Sequence, residues 1–431
     1  MRNQSKKMTK FGYFFTSESV GEGHPDKVAD QLSDTLLDNF LAYDPKSRVA
    51  CEAMVTTGQV IVAGEVTSET YIDIRDVVRE KVKSIGYDKQ GLGFDGDSCG
   101  VLCAIHEQSP DIARGVDNEE QGAGDIGIMF GYAVNETDTY MPLTHYLSSK
   151  FVMTIDEIRH EGLYMRYLRP DSKAQVTVEY DEETNNPIAI DSIVLCLQHD
   201  DSFDDEEEMR NRILDDVMCL VIPRMLCSIS TESVMTMLAA IKRERIFVNP
   251  TGWFEIGGPT GDTGLTGRKV IVDTYGGRGA HGGGAFSGKD PSKVDRSAAY
   301  MARFVAKNMV AAGISDEVLV QVSYAIGKAE PMSLYVNTYG KSKVNYSDSE
   351  IAKIISTLYD FRPSSIIKSL LLLQPMYAET STYGHFGRES RTVKKSFHNK
   401  YEGDKDINVI LFTWERLTDV SALRASFGLE T

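Results

Sequence analysis

Between Asn249 and Arg296 the chain concentrates residues suited to binding a polyphosphate. Gly257-Gly-Pro-Thr-Gly-Asp262-Thr-Gly-Leu-Thr-Gly-Arg268-Lys269 and His281-Gly-Gly-Gly-Ala285-Phe-Ser-Gly-Lys289-Asp-Pro-Ser-Lys293-Val-Asp295-Arg296 are dense in glycine, which lets a backbone approach a ligand closely. From Gly264 to Arg296 six basic residues (268, 269, 278, 289, 293, 296) stand against three acids (273, 290, 295), in a chain of net charge −17. A basic, glycine-rich island in an acidic protein matches an anionic ligand rich in phosphate. Gly283–Lys289 also satisfies the front of a P-loop, but Asp290 stands where a Ser or Thr should reach magnesium, so a Walker A loop is disfavoured.

Other segments bear on the same chemistry. In Gly21-Glu-Gly-His24-Pro-Asp26-Lys27, Pro25 fits a first helical position, with His24 just outside the helix and Asp26 in its first turn. Free N–H groups at such an end attract anions, and a carboxylate there can hold Mg²⁺ already bound to phosphate; an ordinary helix cap reads equally well. Glu52 and Glu65 lie on strand-like stretches, sharing faces with Ala50 and Met54 and with Ile61 and Ala63. Each either faces solvent or meets a cation, since burying an unpaired charge is costly. Gly122-Ala-Gly-Asp125-Ile-Gly127 resembles Gly261-Asp262-Thr-Gly264, a turn that offers a carboxylate to a hydroxyl or amino group. Arg169-Pro-Asp171-Ser-Lys173 adds an acid and a cation ahead of a strand, and Gln108-Ser-Pro-Asp111 edges a loop over 107–124.

The elements that must position these groups read as α+β. Hairpins are expected at 49–55 with 60–67, at 175–180 with 188–197, and at 317–326 with 333–337. Helices follow at about 69–85, 205–222 and 347–360, the last opening on the capping box Ser347–Glu350. Hairpin then helix, three times, suggests three similar units, taken as 12–110, 121–246 and 247–431. The acidic run Asp200–Glu208 reads as a solvated entry to a helix, whose N-terminal dipole favours acids.

Composition bounds the function. Net charge −17 and pI about 5.0 disfavour nucleic acid or an anionic membrane as partner. No run of about 20 apolar residues exists to span a bilayer, and the basic N-terminus (Arg2, Lys6, Lys7, Lys10) lacks a signal-peptide core. A cytoplasmic protein is expected. The six cysteines form no CxxC pair and read as buried thiols rather than as a zinc or disulfide framework.

Taken together, Ser17–Lys27, Gly122–Asp125, Leu168–Lys173, Gly257–Gly277 and the nonapeptide-like Gly282–Asp290 resemble the S-adenosylmethionine synthetase family, in the same order from about residue 12 to Glu389. The resemblance implies three α+β domains related by pseudo-threefold symmetry, each a β-sheet packed with helices. It implies a homodimer, in some members paired into a tetramer, with active sites at the subunit interface. The implied substrates are ATP and L-methionine, with two Mg²⁺ and one K⁺ per site.

Carried over residue by residue, the catalytic groups are His24, Lys173, Arg268, Lys289 and Lys293. ATP contacts add Asp171, Phe254, Asp262, Lys269 and Ala285. Methionine contacts are Glu65, Gln108, Asp125, Asp262 and Lys293. Asp26 and Asp295 are the implied Mg²⁺ ligands and Glu52 the K⁺ ligand; residues 108–120 are the implied gate. The chain departs from the family pattern at Trp253 (usually Arg), Ile126 (usually Gln) and Thr413 (usually Pro), and 391–411 reads as an insertion.

Overall fold

The computed structural model describes residues 12–89, 91–108 and 121–430; most of the expected gate, and the basic N-terminus, lie outside them. Strand β1 (Tyr13–Val20) runs through Gly21–His24 into helix α1 (Pro25–Tyr43). The first hairpin is β2 (Arg48–Thr56) and β3 (Gln59–Thr67), followed by helix α2 (Ile74–Ile85). Helix α2 starts at Ile74 rather than near Glu69 because the Asp73 side chain accepts the Asp76 N–H and so fixes the cap. Strand β4 (Gly100–His106) joins β3 in parallel.

The next stretch repeats the plan with β5 (Gly127–Val134), helix α3 (Leu143–Glu161), the hairpin β6 (Leu168–Tyr180) and β7 (Pro187–His199), and helix α4 (Glu206–Asp216). Asp205 caps α4, accepting the Glu208 N–H at 2.8 Å, so the acidic run does enter a helix. Short β8 (Ile246–Val248) and β9 (Gly264–Leu265) precede helix α5 (Val294–Ala311). The third hairpin, β10 (Glu317–Tyr324) with β11 (Ser333–Asn337), leads to helix α6 (Asp348–Leu358), where both arms of the Ser347–Glu350 capping box form.

The three larger sheets share one logic. Their orders are β4-β3-β2-β9, β1-β6-β7-β8 and β11-β10-β5. In each, the first strand of a hairpin pairs antiparallel with a strand from another stretch of the chain: β2 with β9, β6 with β1, β10 with β5. Each donated strand precedes a long helix: β1 leads to α1, β5 to α3 and β9 to α5. Strands are thus exchanged cyclically among three equivalent units, which is the pseudo-threefold α+β architecture expected from the sequence. The exchange cannot be read from local periodicity, because each donor strand is edged by residues distant in sequence.

Helix α1 is buried along nearly its whole length, with Val28, Leu32 and Leu36 all inaccessible. Each such side chain contributes about 1.5–3 kcal/mol by leaving water. The stretch 391–411 forms a two-stranded hairpin, β12 (Arg391–Phe397) with β13 (Lys405–Leu411). It docks on the far end of α1: Lys405 Nζ donates to the Ala42 carbonyl at 2.8 Å and the Tyr43 hydroxyl donates to the Gly403 carbonyl at 2.8 Å. Helix α1 has no basic residue in its last turn, so Lys405 supplies from a distance the cation that a helix C-terminus favours. No helix among the described residues is long and apolar enough to cross a membrane.

Candidate functional site

His24 is the N-cap of α1 and Pro25 takes the first helical position. The Asp26 N–H donates to His24 Nδ1 at 3.2 Å, so that nitrogen is unprotonated and the proton of the neutral ring sits on Nε2. Burial, followed by the charges of Lys269 and Lys173, lowers the His24 pKa to about 3. His24 is therefore a neutral Nε2–H donor at physiological pH rather than an acid–base group. Asp26 is held as a carboxylate: burial opposes ionisation, but the Lys269 ammonium and the Leu265 N–H (3.0 Å) outweigh it and lower its pKa.

An open cavity of about 290 Å³ lies in front of this helix end. Six of the expected residues line it: His24, Asp26, Lys173, Asp262, Arg268 and Lys269. Lys173 reaches it from β6, where it pairs with Val20 of β1 on one side and Cys196 of β7 on the other. Arg268 and Lys269 arrive because β9 lies against the first turn of α1. A Cβ on Gly264 would stand 2.1 Å from Pro25 C and O, so only glycine permits that approach. The Asp262 side chain accepts the next residue's N–H at 2.9 Å, as Asp125 does at 2.7 Å. The two Gly-Asp turns are thus the same local device, each placed just ahead of a donated strand. Asp171 stands behind the cavity, almost wholly buried. One of its oxygens accepts the Gly258 N–H at 2.9 Å and the other has no partner among the described residues. Burial raises its pKa to about 6, although the Gly258 bond opposes the rise.

What the sequence reading missed is the row of aspartates behind this surface. Asp26, Asp30, Asp34 and Asp38 recur every fourth residue on α1, hence on one face. Each receives backbone N–H groups from the C-terminal half: Leu265 to Asp26 at 3.0 Å, Gly267 to Asp30 at 2.8 Å, Gly288 to Asp34 at 2.8 Å, and Tyr377 to Asp38 at 2.8 Å. Cations complete the row. Lys27, fully buried, bridges Asp30 and Asp273, and Arg296 grips Asp34 with two bonds of 2.7 Å. Arg296 also donates to the Lys289 carbonyl at 3.1 Å. Helix α1 therefore sets the spacing between the Arg268–Lys269 loop and the Gly288–Lys289 loop. The signal was present as acids recurring every fourth residue along the helix, but only the fold reveals their partners.

A second group forms elsewhere on the chain. Lys289 pairs with Asp295 and Lys293 with Asp290 at 2.8 Å, while Asp290 accepts the Val49 N–H at 2.9 Å, tying the loop to β2. Asp295 lines a narrow hollow with His281, Gly282 and Gly284 rather than the large cavity. Ala285 packs against Gly267, between the two groups. Glu52 and Glu65 are both exposed on the outer face of the β4-β3-β2-β9 sheet, so of the two readings of these acids the solvent-facing one holds for the single chain. Asp125 is exposed and Gln108 partly exposed. Neither lines the cavity, nor does Phe254, whose backbone N–H donates to His199 Nε2 at 3.1 Å. Trp253 packs on His199, with ring centroids 5.6 Å apart. One chain thus gathers the expected cations into two patches, not one pocket.

Several cations of both patches are paired with carboxylates: Lys269 with Asp26, Lys289 with Asp295, Lys293 with Asp290. An incoming polyphosphate with its counter-ions can exchange these partners, ammonium to phosphate and carboxylate to metal, without stranding a charge. Among the described residues no three His, Cys, Asp or Glu side chains gather into a metal cluster.

Three family models cover most of the chain. The S-adenosylmethionine synthetase N-terminal domain matches residues 12–110, the central domain 120–254 and the C-terminal domain 256–396. The S-adenosylmethionine synthase of Bacteroides thetaiotaomicron is 57% identical over 433 residues, covering 97% of this chain and 100% of that protein. Those of Cytophaga hutchinsonii and Flavobacterium johnsoniae are each 56% identical, over 421 and 422 residues, again spanning 97% of this chain and 100% of theirs.

Proposed function

The chain belongs to the S-adenosylmethionine synthetase family, and on that premise we propose that it transfers the adenosyl group of ATP to methionine. Methionine sulfur attacks C5′ of ATP in line; the S–C5′ bond forms, the C5′–O bond breaks, and triphosphate leaves. Water then cleaves triphosphate to phosphate and pyrophosphate. The observation that carries this reading is the cavity where Lys173, Arg268, Lys269 and the neutral His24 face a leaving group of about four negative charges, beside the carboxylates Glu18, Asp26 and Asp262, which would meet its metal ions. One cation at 4 Å is worth roughly 4 kcal/mol at an effective dielectric of 20, so several supply a large part, before desolvation losses, of a typical barrier reduction of about 8–23 kcal/mol.

In this reading each residue has a part. The His24 Nε2–H donates to a phosphate oxygen without a proton changing hands. Lys173, on the central strand of its sheet, is held from both sides against the charge that builds on the leaving oxygens. Thioether sulfur is neutral and already nucleophilic, so positioning and charge stabilisation carry the first step and no general base is needed. Asp171, Asp262, Phe254 and Ala285 are the contacts proposed for the rest of ATP.

Asp26 and Asp295 fit magnesium, which keeps several waters and takes one or two carboxylates together with substrate phosphates. Two such ions, when bound, supply charge neutralisation on the triphosphate. Glu52 is a lone exposed carboxylate in one chain; the K⁺ it is expected to bind needs further oxygens, and no step is routed through that ion.

The two-patch arrangement supports a homodimer whose active sites are completed between subunits. The β4-β3-β2-β9 sheet turns outward Leu102 (53% exposed) and Leu265 (38%) with Met54 and Ile61, flanked by Glu52 and Glu65. An apolar sheet face of this kind marks an interaction surface. Packing it against its own copy would bring Lys289, Lys293, Asp295, Glu65, Gln108 and Asp125 of one subunit towards the cavity of the other. A tetramer, where one forms, would pair two such dimers, and the expected compartment is the cytoplasm. The domains proposed are 12–110, 121–246 and 247–431, with one strand of each exchanged.

Incubation with ATP, methionine, Mg²⁺ and K⁺, followed by chromatography, tests the reading. It predicts S-adenosylmethionine, phosphate and pyrophosphate in equal amounts, all dependent on methionine. ADP as the nucleotide product would overturn it.

A further inference from the structure

A small hollow of about 30 Å³ opens between α3 and the Tyr383–Arg388 segment, away from the cavity above. Its polar lining is His145, Tyr146, Ser149, Lys150, Tyr383 and Arg388, with no carboxylate among the lining residues. In a chain with 63 acids against 46 basic residues, a pocket with two cations and no acid is unusual.

The partners of these groups sharpen the point. The Arg388 guanidinium lies 5.7 and 5.0 Å from the centroids of the Tyr383 and Phe412 rings and donates to the Thr382 carbonyl at 3.0 Å. The acids that act on it, Glu157 and Glu379, lie beyond ion-pair distance, and Glu379 is engaged with Lys395. Lys150 Nζ stands 5.7 Å from the Tyr146 ring centroid, with no carboxylate in ion-pair range among the described residues. His145 is 2% exposed and its Nδ1 has no hydrogen-bond partner among the described residues. Both cations are only partly open to water, so without a counter-charge in reach they lose hydration, which cation–π contacts offset only in part. Consistently, burial lowers Arg388 to about 10 and, with Arg388's charge next in weight, lowers Lys150.

We infer that this hollow is a binding site for a compact inorganic anion, held between Lys150 and Arg388 against α3. A water needs about 10–15 Å³ by the same measure, so the space admits a halide, or an oxyanion that leaves part of itself at the mouth. Phosphate, which the proposed reaction releases, and chloride share this chemistry. The site is tied to the nucleotide cavity through one hydrogen bond, Ser149 Oγ to Ser19 Oγ at 3.2 Å, because Ser19 lines that cavity.

Crystals of the full-length protein grown in sodium bromide test this by anomalous diffraction. A bromide peak touching Lys150 and Arg388 is expected, weakened in Lys150→Gln. Thermal unfolding at constant ionic strength should show a saturable rise of the midpoint with bromide, with affinity about tenfold weaker in the variant, the size of one lost, partly screened charge contact. Loss of the bromide peak on adding phosphate assigns the site to an oxyanion, and its persistence assigns it to a halide. No peak in the wild-type crystals, a peak unchanged in Lys150→Gln, or a peak without saturable stabilisation (binding at crystal concentration only) would each overturn the inference. None of these readouts depends on turnover.

Discussion

Replacing His24 by Asn separates its two tasks. Asn is among the best N-cap residues, and its carbonyl oxygen can take the Asp26 N–H that His24 Nδ1 accepts at 3.2 Å. The cap is kept, so stability should change by no more than about 0.5 kcal/mol. The side chain is too short to carry the Nε2–H into the cavity, so one hydrogen bond to the triphosphate is lost. A hydrogen bond to a charged group is worth about 1.5–3 kcal/mol, which at 1.36 kcal/mol per decade is a fall of about 10- to 150-fold in S-adenosylmethionine formation. Steady-state product assays and urea unfolding of the same preparations give both numbers. Because the folded His24 pKa is about 3, its ring stays neutral through the assay range, and the wild-type pH–rate profile should carry no limb near 6.5 that His24→Asn abolishes. A fall below threefold, a loss of more than about 2 kcal/mol of stability, or such a limb would each refute the argument that His24 works as a neutral donor on a cap.

Three further outcomes are expected. Arg296→Met leaves Asp34 buried and charged, costing about 3–5 kcal/mol in urea unfolding; adding Asp34→Asn, which keeps an acceptor for the Gly288 N–H, should return at least half of it, and a double variant no better than the single one refutes the pairing. Asp171 is raised to about 6 from 3.8, so the folded state binds its proton more tightly and its contribution to stability is lost as pH rises through that window. Asp171→Asn should therefore gain on wild type between pH 4 and 8, by up to about 3 kcal/mol, and the opposite trend sinks the assignment. Leu102→Asp, at a half-exposed position, should leave each chain folded by circular dichroism while light scattering shows a monomer and activity disappears; an active monomer would rule out sites completed between subunits.

The sequence by itself determined the local pieces. Pro25 after His24 announced the helix start, Asn185-Asn-Pro187 the turn of the second hairpin, and Ser347–Glu350 a capping box that forms with both arms, because caps and tight turns are settled by neighbours a few residues apart. The dense glycines and the excess of basic residues over 264–296 announced a phosphate site, and the order of the motifs announced the family. Other features depended on contacts between distant residues. Cyclic strand exchange places β9 under the first turn of α1, and this, not any spacing within 257–269, brings Arg268 and Lys269 to His24 and Lys173. Asp30, Asp34 and Asp38 read as ordinary polar helix residues until the fold supplies Gly267, Gly288 and Tyr377 as donors. The division of the expected cations into two patches is likewise tertiary: a motif records which side chains a reaction uses, but which of them one chain can bring to a single cavity depends on the direction in which each sheet faces.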